Sequence, residues 1–210
     1  MGSETATAPL RAGLLDGCAA LVAGAPGLGP CGREAVAVLG ALGARAVAFD
    51  LELTGEPEEQ DQAIAAAAIE AAARAGEPRL LIVDGDSLLG SAAAAREEAG
   101  VTAALPLSAA LQATWSAVRA VAERCYIAPG GGGRVALIAP RPATGEHARA
   151  AAAGLENLAR TLSIEWARHA ITAVALIPGA ASTVNELAVL CAYLGSPAGE
   201  YFSGCVLELR

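Results

Sequence analysis

The 210-residue chain contains no lysine; all fourteen of its basic residues are arginine. A reaction that depends on a lysine ammonium group has no candidate side chain here. Aromatic residues make up only 3% of the chain, and much of its 54% apolar content is alanine. Alanine buries little area, so stability must come from close helix–sheet packing and from association. Net positive charge is also missing: the formal charge is −8 and the pI about 4.8. That excludes nucleic acid and anionic membrane as partners, both of which need a basic face. The two histidines, His147 and His169, are too far apart for metal-like spacing and read as surface residues at helix ends. The five cysteines, Cys18, Cys31, Cys125, Cys191 and Cys205, are odd in number and form no C-x-x-C pair, which points to reduced, buried structural thiols. No apolar run approaches the roughly 20 residues needed to span a bilayer. Residues 1–10 lack the basic and apolar regions of a signal peptide, so a cytoplasmic location is expected.

What is present is an alternation of short apolar runs and helical stretches. Residues 18–23 (CAALVA) read as a buried parallel strand, followed by the Gly-rich turn GAPGLGPCG from Gly24 to Gly32. A helix over 33–42 is stopped by Gly43, and RAVAFD (45–50) forms a second strand ending in Asp50. Helices follow over 58–75, 105–126, 147–169 and 185–194. Strands follow over 79–84, 134–139, 171–177 (closed by Pro178-Gly179) and 205–209. The run Gly130–Gly133 reads as a pliant turn, and no element is assigned between Asp84 and Leu105. Strands alternating with helices predict an α/β fold: a Rossmann-like, doubly wound parallel sheet in a three-layer αβα arrangement. A flexible tail over 1–13 and one domain over 14–210 are expected.

Four segments carry a resemblance to the short-chain dehydrogenase/reductase family, of the 3-oxoacyl-ACP-reductase-like kind. They are the Gly loop with Asp50, LIVDGD (81–86), the stretch from Gly154 to Thr183, and SGCVLEL (203–209). The third is the most specific: it follows the family's catalytic helix, next strand and Pro-Gly turn almost residue by residue. The resemblance implies a dinucleotide crevice formed by Gly24, Gly27, Gly29, Gly32, Asp50, Asp84, Pro178 and Gly179. Glycine lets backbone N–H groups approach a pyrophosphate at a helix N-terminus, and Asp50 would bind a ribose 2′-hydroxyl and favour NAD. Against this, Pro26 and Pro30 interrupt the loop, and Pro30 removes a donor. The plainer reading is that these glycines make a tight strand-to-helix turn.

The same resemblance locates what is absent. The family's Tyr-x-x-x-Lys pair falls on Ala148 and Ala152, its Ser on Ala139 or Pro140, and its Asn near Ala110, by alignment through Trp115 and Arg119. The i, i+4 spacing keeps Ala148 and Ala152 on one helix face, but methyl groups transfer no protons. Arg149 points about 100° away round the helix and holds its proton too firmly to substitute. Only 33 residues (51–83) separate Asp50 from Asp84, too few for the helix–strand–helix the family places there, so one βα unit is missing. The substrate-covering segment expected after Thr183 is missing as well.

The retained parts are those the family uses to assemble: the helices over 105–126 and 147–169, which form a four-helix bundle with a neighbour, and the last strand, at a second interface. The first reading is therefore a non-catalytic subunit of a hetero-oligomeric, tetrameric dehydrogenase, paired with an active, NAD-dependent homologue and holding no cofactor itself, or NAD if any. The family includes such assemblies, among them dehydrogenases of aryl-succinyl-CoA thioesters in anaerobic toluene breakdown, although no residue pattern here reads a CoA thioester. A second reading is a homo-oligomeric NAD(H) sensor. A third is an enzyme with an atypical site built from Asp84, Asp86 or Tyr126 near the strand ends, although an acid pair in that setting is more often a turn and helix cap. No metal site is expected.

Overall fold

The computed structural model describes residues 10–53, 56–99 and 105–210. Six strands, β1 (Ala19–Gly24), β2 (Arg45–Asp50), β3 (Pro78–Asp84), β4 (Gly133–Ile138), β5 (Ile171–Ile177) and β6 (Cys205–Glu208), form one all-parallel sheet in the order β2-β1-β3-β4-β5-β6. The helices are α1 (Pro30–Ala41), α2 (Pro57–Ala75), α3 (Gly85–Ala99), α4 (Pro106–Val121), α5 (Ala148–Glu165) and α6 (Val184–Gly195).

The strict alternation of side chains along each strand divides the core into two layers. Leu21 and Ala23 of β1, Leu81 and Val83 of β3, and Val135 and Leu137 of β4 pack against α2, α4 and α5. Ala20 and Val22, Leu80 and Ile82, and Ala136 and Ile138 pack on the opposite face, against α1 and α6. Both faces of the sheet are covered, as the near-continuous apolar strands require.

The chain runs from β1 through α1 to β2 on one side, then crosses through α2 to β3 on the other side of β1. Among the described residues α2 is the only element between β2 and β3, so the βα unit counted as missing is missing from the sheet. β2 is left as an edge strand, its Ala48 carbonyl accepting a hydrogen bond from the Arg74 guanidinium at 3.2 Å. At the other end, six residues (178–183) connect β5 to α6, which opens with a capping box between Thr183 and Glu186. No substrate-covering segment intervenes.

β2 and β5 have the bounds read from the sequence. The long helix expected over 105–126 is α4 followed by a π-helical turn over Ala122–Ile127, and that expected over 147–169 is α5 followed by a 3₁₀ turn over Ala167–His169. The largest difference is α3, a 15-residue helix where no element was assigned. Residues 1–9 of the expected tail lie outside the described residues; from Leu10 onward the chain packs, with Leu10 and Leu14 against the α1–α6 layer.

Three of the four glycines of the Gly130–Gly133 turn lie against neighbouring groups, while Gly130 has open space around it. An added Cβ would lie 2.4 Å from the Tyr126 ring at Gly133 and 1.8 Å from the Arg79 guanidinium at Gly131. The glycines let both side chains lie against the backbone.

Candidate functional site

The sheet's topological switch point lies between β1 and β3, where the chain departs to opposite sides. Open α/β sheets bind ligands in the crevice outside the carboxyl ends of the strands at such a point. Here it is bounded by Gly24 at the end of β1 and Asp84 at the end of β3.

Asp84 is fully buried, and its carboxylate sits between two helix N-termini. One oxygen accepts the Gly32 N–H, in the first turn of α1, at 2.9 Å. The other accepts the Ser87 N–H, in the first turn of α3, at 3.2 Å. Gly29, which precedes α1, has no side chain with which to cap it, and Pro30 has no N–H to cap. Asp84 supplies the missing acceptor from 52 positions away and caps α3 in the same way. Burial pushes its carboxyl above the ordinary carboxylate range, and the Ser87 and Gly32 donors pull it back in part.

Three further donors of the Gly loop are also taken by the chain. The Ala25 N–H donates to Ser87 Oγ at 3.1 Å, and that hydroxyl in turn donates to the Asp84 carbonyl at 2.9 Å. The Gly27 N–H donates to Asp50 Oδ1 at 3.1 Å. The Leu28 N–H closes a turn onto the Ala25 carbonyl, and Leu28 itself is left-handed, with φ of +50° and its side chain tucked beneath the loop. A Cβ on Gly29 would sit 2.7 Å from the Ser87 Cβ, and one on Gly32 would sit 3.0 Å from Asp84 Oδ2. The closeness that glycine permits at these positions is used by α3 and by Asp84.

Pro178 is buried, and the Gly179 N–H is held by Ser182 Oγ at 2.9 Å. A Cβ on Gly179 would lie 2.4 Å from the Leu209 carbonyl, so the end of β6 closes against the Pro-Gly turn. The structure thus gathers Gly24, Gly29, Gly32 and Asp84 at the switch point, with Gly27 and Asp50 on the adjoining outer turn. A dinucleotide fits this arrangement poorly. Four of the N–H groups that would face its pyrophosphate, those of Ala25, Gly27, Leu28 and Gly32, already have partners, and a buried carboxylate lies against the helix terminus that would receive it.

Beside Asp84, Asp86 is buried and receives a fork from Arg141. The guanidinium approaches Asp86 Oδ2 at 2.9 Å (Nε) and 2.8 Å (Nη2), and the Arg141 N–H donates to Oδ1 at 2.9 Å. Thr144 adds a further hydrogen bond. The pair ties the segment after β4 to the first turn of α3. Sequence reasoning missed Arg141, Ser87 and Thr144: Arg141 and Thr144 meet Asp86 from more than 50 positions away, and Ser87, though it caps locally onto Asp84, reaches the Gly loop only through the distant Ala25.

The four positions matched to the family's catalytic residues are packed apolar sites. Ala110, Ala139 and Ala148 are buried, Ala148 with 2% exposure, and Ala152 is half-buried against the same core layer. Tyr126, grouped with Asp84 and Asp86 in the atypical-site reading, is at the opposite end of the sheet. Its ring packs on Gly133 at the start of β4, its hydroxyl faces the Arg134 carbonyl at 3.5 Å, and burial pushes its phenol far up. The three groups therefore do not form one site. Of the cysteines, only Cys31 and Cys191 are buried; Cys18, Cys125 and Cys205 are half-buried, which corrects the expectation that all five are internal. Burial raises the Cys31 thiol to about 12, leaving it unreactive.

No family model matches the sequence, and no curated protein is similar enough to it to be counted a relative. Solved structures do match. A citronellol catabolism dehydrogenase of Pseudomonas aeruginosa PAO1 aligns over 97% of this chain and 98% of its own, with 20% identity and a TM-score of 0.71. A short chain dehydrogenase from Mycobacterium smegmatis aligns over 94% and 93%, with 21% identity and a TM-score of 0.71. A hydroxysteroid dehydrogenase from Escherichia coli aligns over 94% and 98%, with 18% identity and a TM-score of 0.67. The fold is that of the short-chain dehydrogenases/reductases: a Rossmann-like α/β fold carried here on a six-stranded parallel sheet.

Proposed function

We propose that this chain is a non-catalytic, dehydrogenase-like subunit that assembles with an active, NAD-dependent homologue retaining the Tyr-x-x-x-Lys pair. The observation that carries this reading is the packing of Ala110, Ala139, Ala148 and Ala152 into or against one core layer, in a chain without lysine. Proton transfer needs a titratable group within hydrogen-bond reach of the substrate, and these positions offer only methyl groups.

Assembly through α4 and α5 is supported by their surfaces. Gly154 of α5 lies so close to Leu111 of α4 that an added Cβ would be 2.9 Å from the leucine, and Trp115 stacks on Trp166 at 6.2 Å. The pair of helices is thereby braced as one unit. α5 presents Ala150, Ala153 and Ile164 outward, Ile164 with 77% exposure. The small residues near the start of α5 allow another helix to approach closely, and Ile164 offers an apolar contact about three turns further along. The role is to stabilise the active subunit or to complete its pocket, and the substrate belongs to that partner.

The test is purification of the tagged chain from its native cell, followed by native mass measurement. A stoichiometric dehydrogenase homologue carrying Tyr-x-x-x-Lys supports the reading. A homo-oligomer without such a companion overturns it and favours an NAD(H) sensor.

A further inference from the structure

Phosphate groups bind at helix N-termini because the first-turn N–H groups are unpaired and the helix dipole favours negative charge. At the switch point of this sheet both requirements are met from within. Asp84 brings a carboxylate to 2.9 Å from the Gly32 N–H of α1, Ser87 takes the Ala25 N–H, and Asp50 takes the Gly27 N–H. We propose that Asp84 is a built-in anion standing where a ligand phosphate would bind, so that the crevice rejects dinucleotides as long as this carboxylate carries its charge.

The surroundings leave that charge without a neutralising cation. The groups facing Asp84 are Cys31 from α1, Cys191 from α6, Asp86 from α3 and Arg141 from the segment after β4. Both thiols are buried and stay protonated, their ionisation opposed by burial. Arg141 is committed to Asp86 by its fork, and the Arg33 guanidinium is turned onto the loop carbonyls of Gly27 and Leu28. Among the described residues Asp84 forms no ion pair. Two helix N-termini alone balance it, and a diphosphate entering the crevice would compete for the same N–H groups against a like charge. Protonation removes the repulsion, and burial has already shifted the carboxyl toward that state. The inference concerns the crevice of this chain alone, and its failure would leave the assembly reading standing.

The experiment is a titration of NADH, followed by its fluorescence, into the unmutated chain and into Asp84→Asn at pH 7.5 and 5.5. Asn keeps an acceptor for Gly32 and removes the charge. Binding to Asp84→Asn at pH 7.5 is expected to be at least about tenfold tighter than to the unmutated chain. The unmutated chain should gain affinity as the pH falls, and the variant should not. Inorganic pyrophosphate should compete with NADH wherever NADH binds. Equal affinity of the two proteins at pH 7.5 would overturn the proposal, as would no binding to either at both pH values. If Asp84→Asn fails to fold, the unmutated chain's own pH series decides: affinity that does not rise as pH falls overturns the proposal.

Discussion

One carboxylate, that of Asp84, caps two helices: it accepts the Gly32 N–H of α1 and the Ser87 N–H of α3. The two helices start 55 residues apart, at Pro30 and Gly85, and meet only because β1 and β3 are neighbours in the sheet. The side chain thereby closes the switch point and joins the two core layers at their upper edge.

Replacing Asp84 by Ala removes both acceptors and leaves one buried and one half-buried N–H group unpaired. Each lost cap costs about 1 kcal/mol, and an unpaired buried donor costs about 1–3 kcal/mol. Asp84→Ala should therefore lower unfolding stability by about 2–4 kcal/mol in urea denaturation, and Asp84→Asn, which keeps one acceptor, by less.

The pH dependence of stability has two opposed contributions. The Asp84 carboxyl is raised, so the folded state holds its proton more firmly than the unfolded chain. Its contribution favours folding at low pH and is lost as pH rises through its folded value. Asp61 runs the other way. Hydrogen bonds from Ser116 and Arg119 hold it low, so its contribution is present above the ordinary carboxylate range and lost as pH falls. The stability of the unmutated chain relative to Asp84→Asn should therefore improve as pH falls from neutrality toward the ordinary carboxylate range. Relative to Asp61→Asn it should worsen as pH falls. Urea midpoints measured from neutrality down through and below the ordinary carboxylate range check both signs.

Restoring the family's pair by Ala148→Tyr with Ala152→Lys should create no dehydrogenase turnover. Ala148 is 2% exposed and packed in the core layer, so the phenol must displace its neighbours. The double variant should be destabilised by about 1–3 kcal/mol. Turnover with NAD and a panel of secondary alcohols is the readout, and measurable activity would contradict the pseudoenzyme reading.

Gly29 and Ser87 should be energetically coupled. A Cβ at Gly29 would sit 2.7 Å from that of Ser87, so Gly29→Ala should cost about 1–3 kcal/mol. Ser87→Gly in the same chain should recover part of that loss. A double-mutant cycle reads the coupling; a value near zero would mean that the loop does not pack on α3 as described.

Local pattern made most of the fold legible. Strands β2 and β5 were bounded by their apolar runs, and counting residues between Asp50 and Asp84 revealed the missing βα unit. α3 escaped because Gly85 and Asp86 read as a turn, while its mixed Ala and charged composition gives little amphipathic signal. The identity of the crevice residues was legible, but their use was not. Asp84 and Gly32 are 52 positions apart, and only the strand order brings them together. Tyr126 was misplaced for a related reason: helical periodicity put it near a strand end without saying which end, and the π-helical turn delivers it to the start of β4. The Arg141–Asp86 fork was invisible because its two residues are 55 positions apart and nothing in the sequence pairs them.

The central claim is that this chain supports catalysis carried out by another. Native mass measurement of the complex purified from its own cell tests that most directly. The account predicts a mixed oligomer, this chain with a dehydrogenase homologue that carries Tyr-x-x-x-Lys, in fixed ratio and with all NAD-dependent turnover lost when the homologue is inactivated. A particle built only from copies of this chain, with or without bound nucleotide, would contradict it.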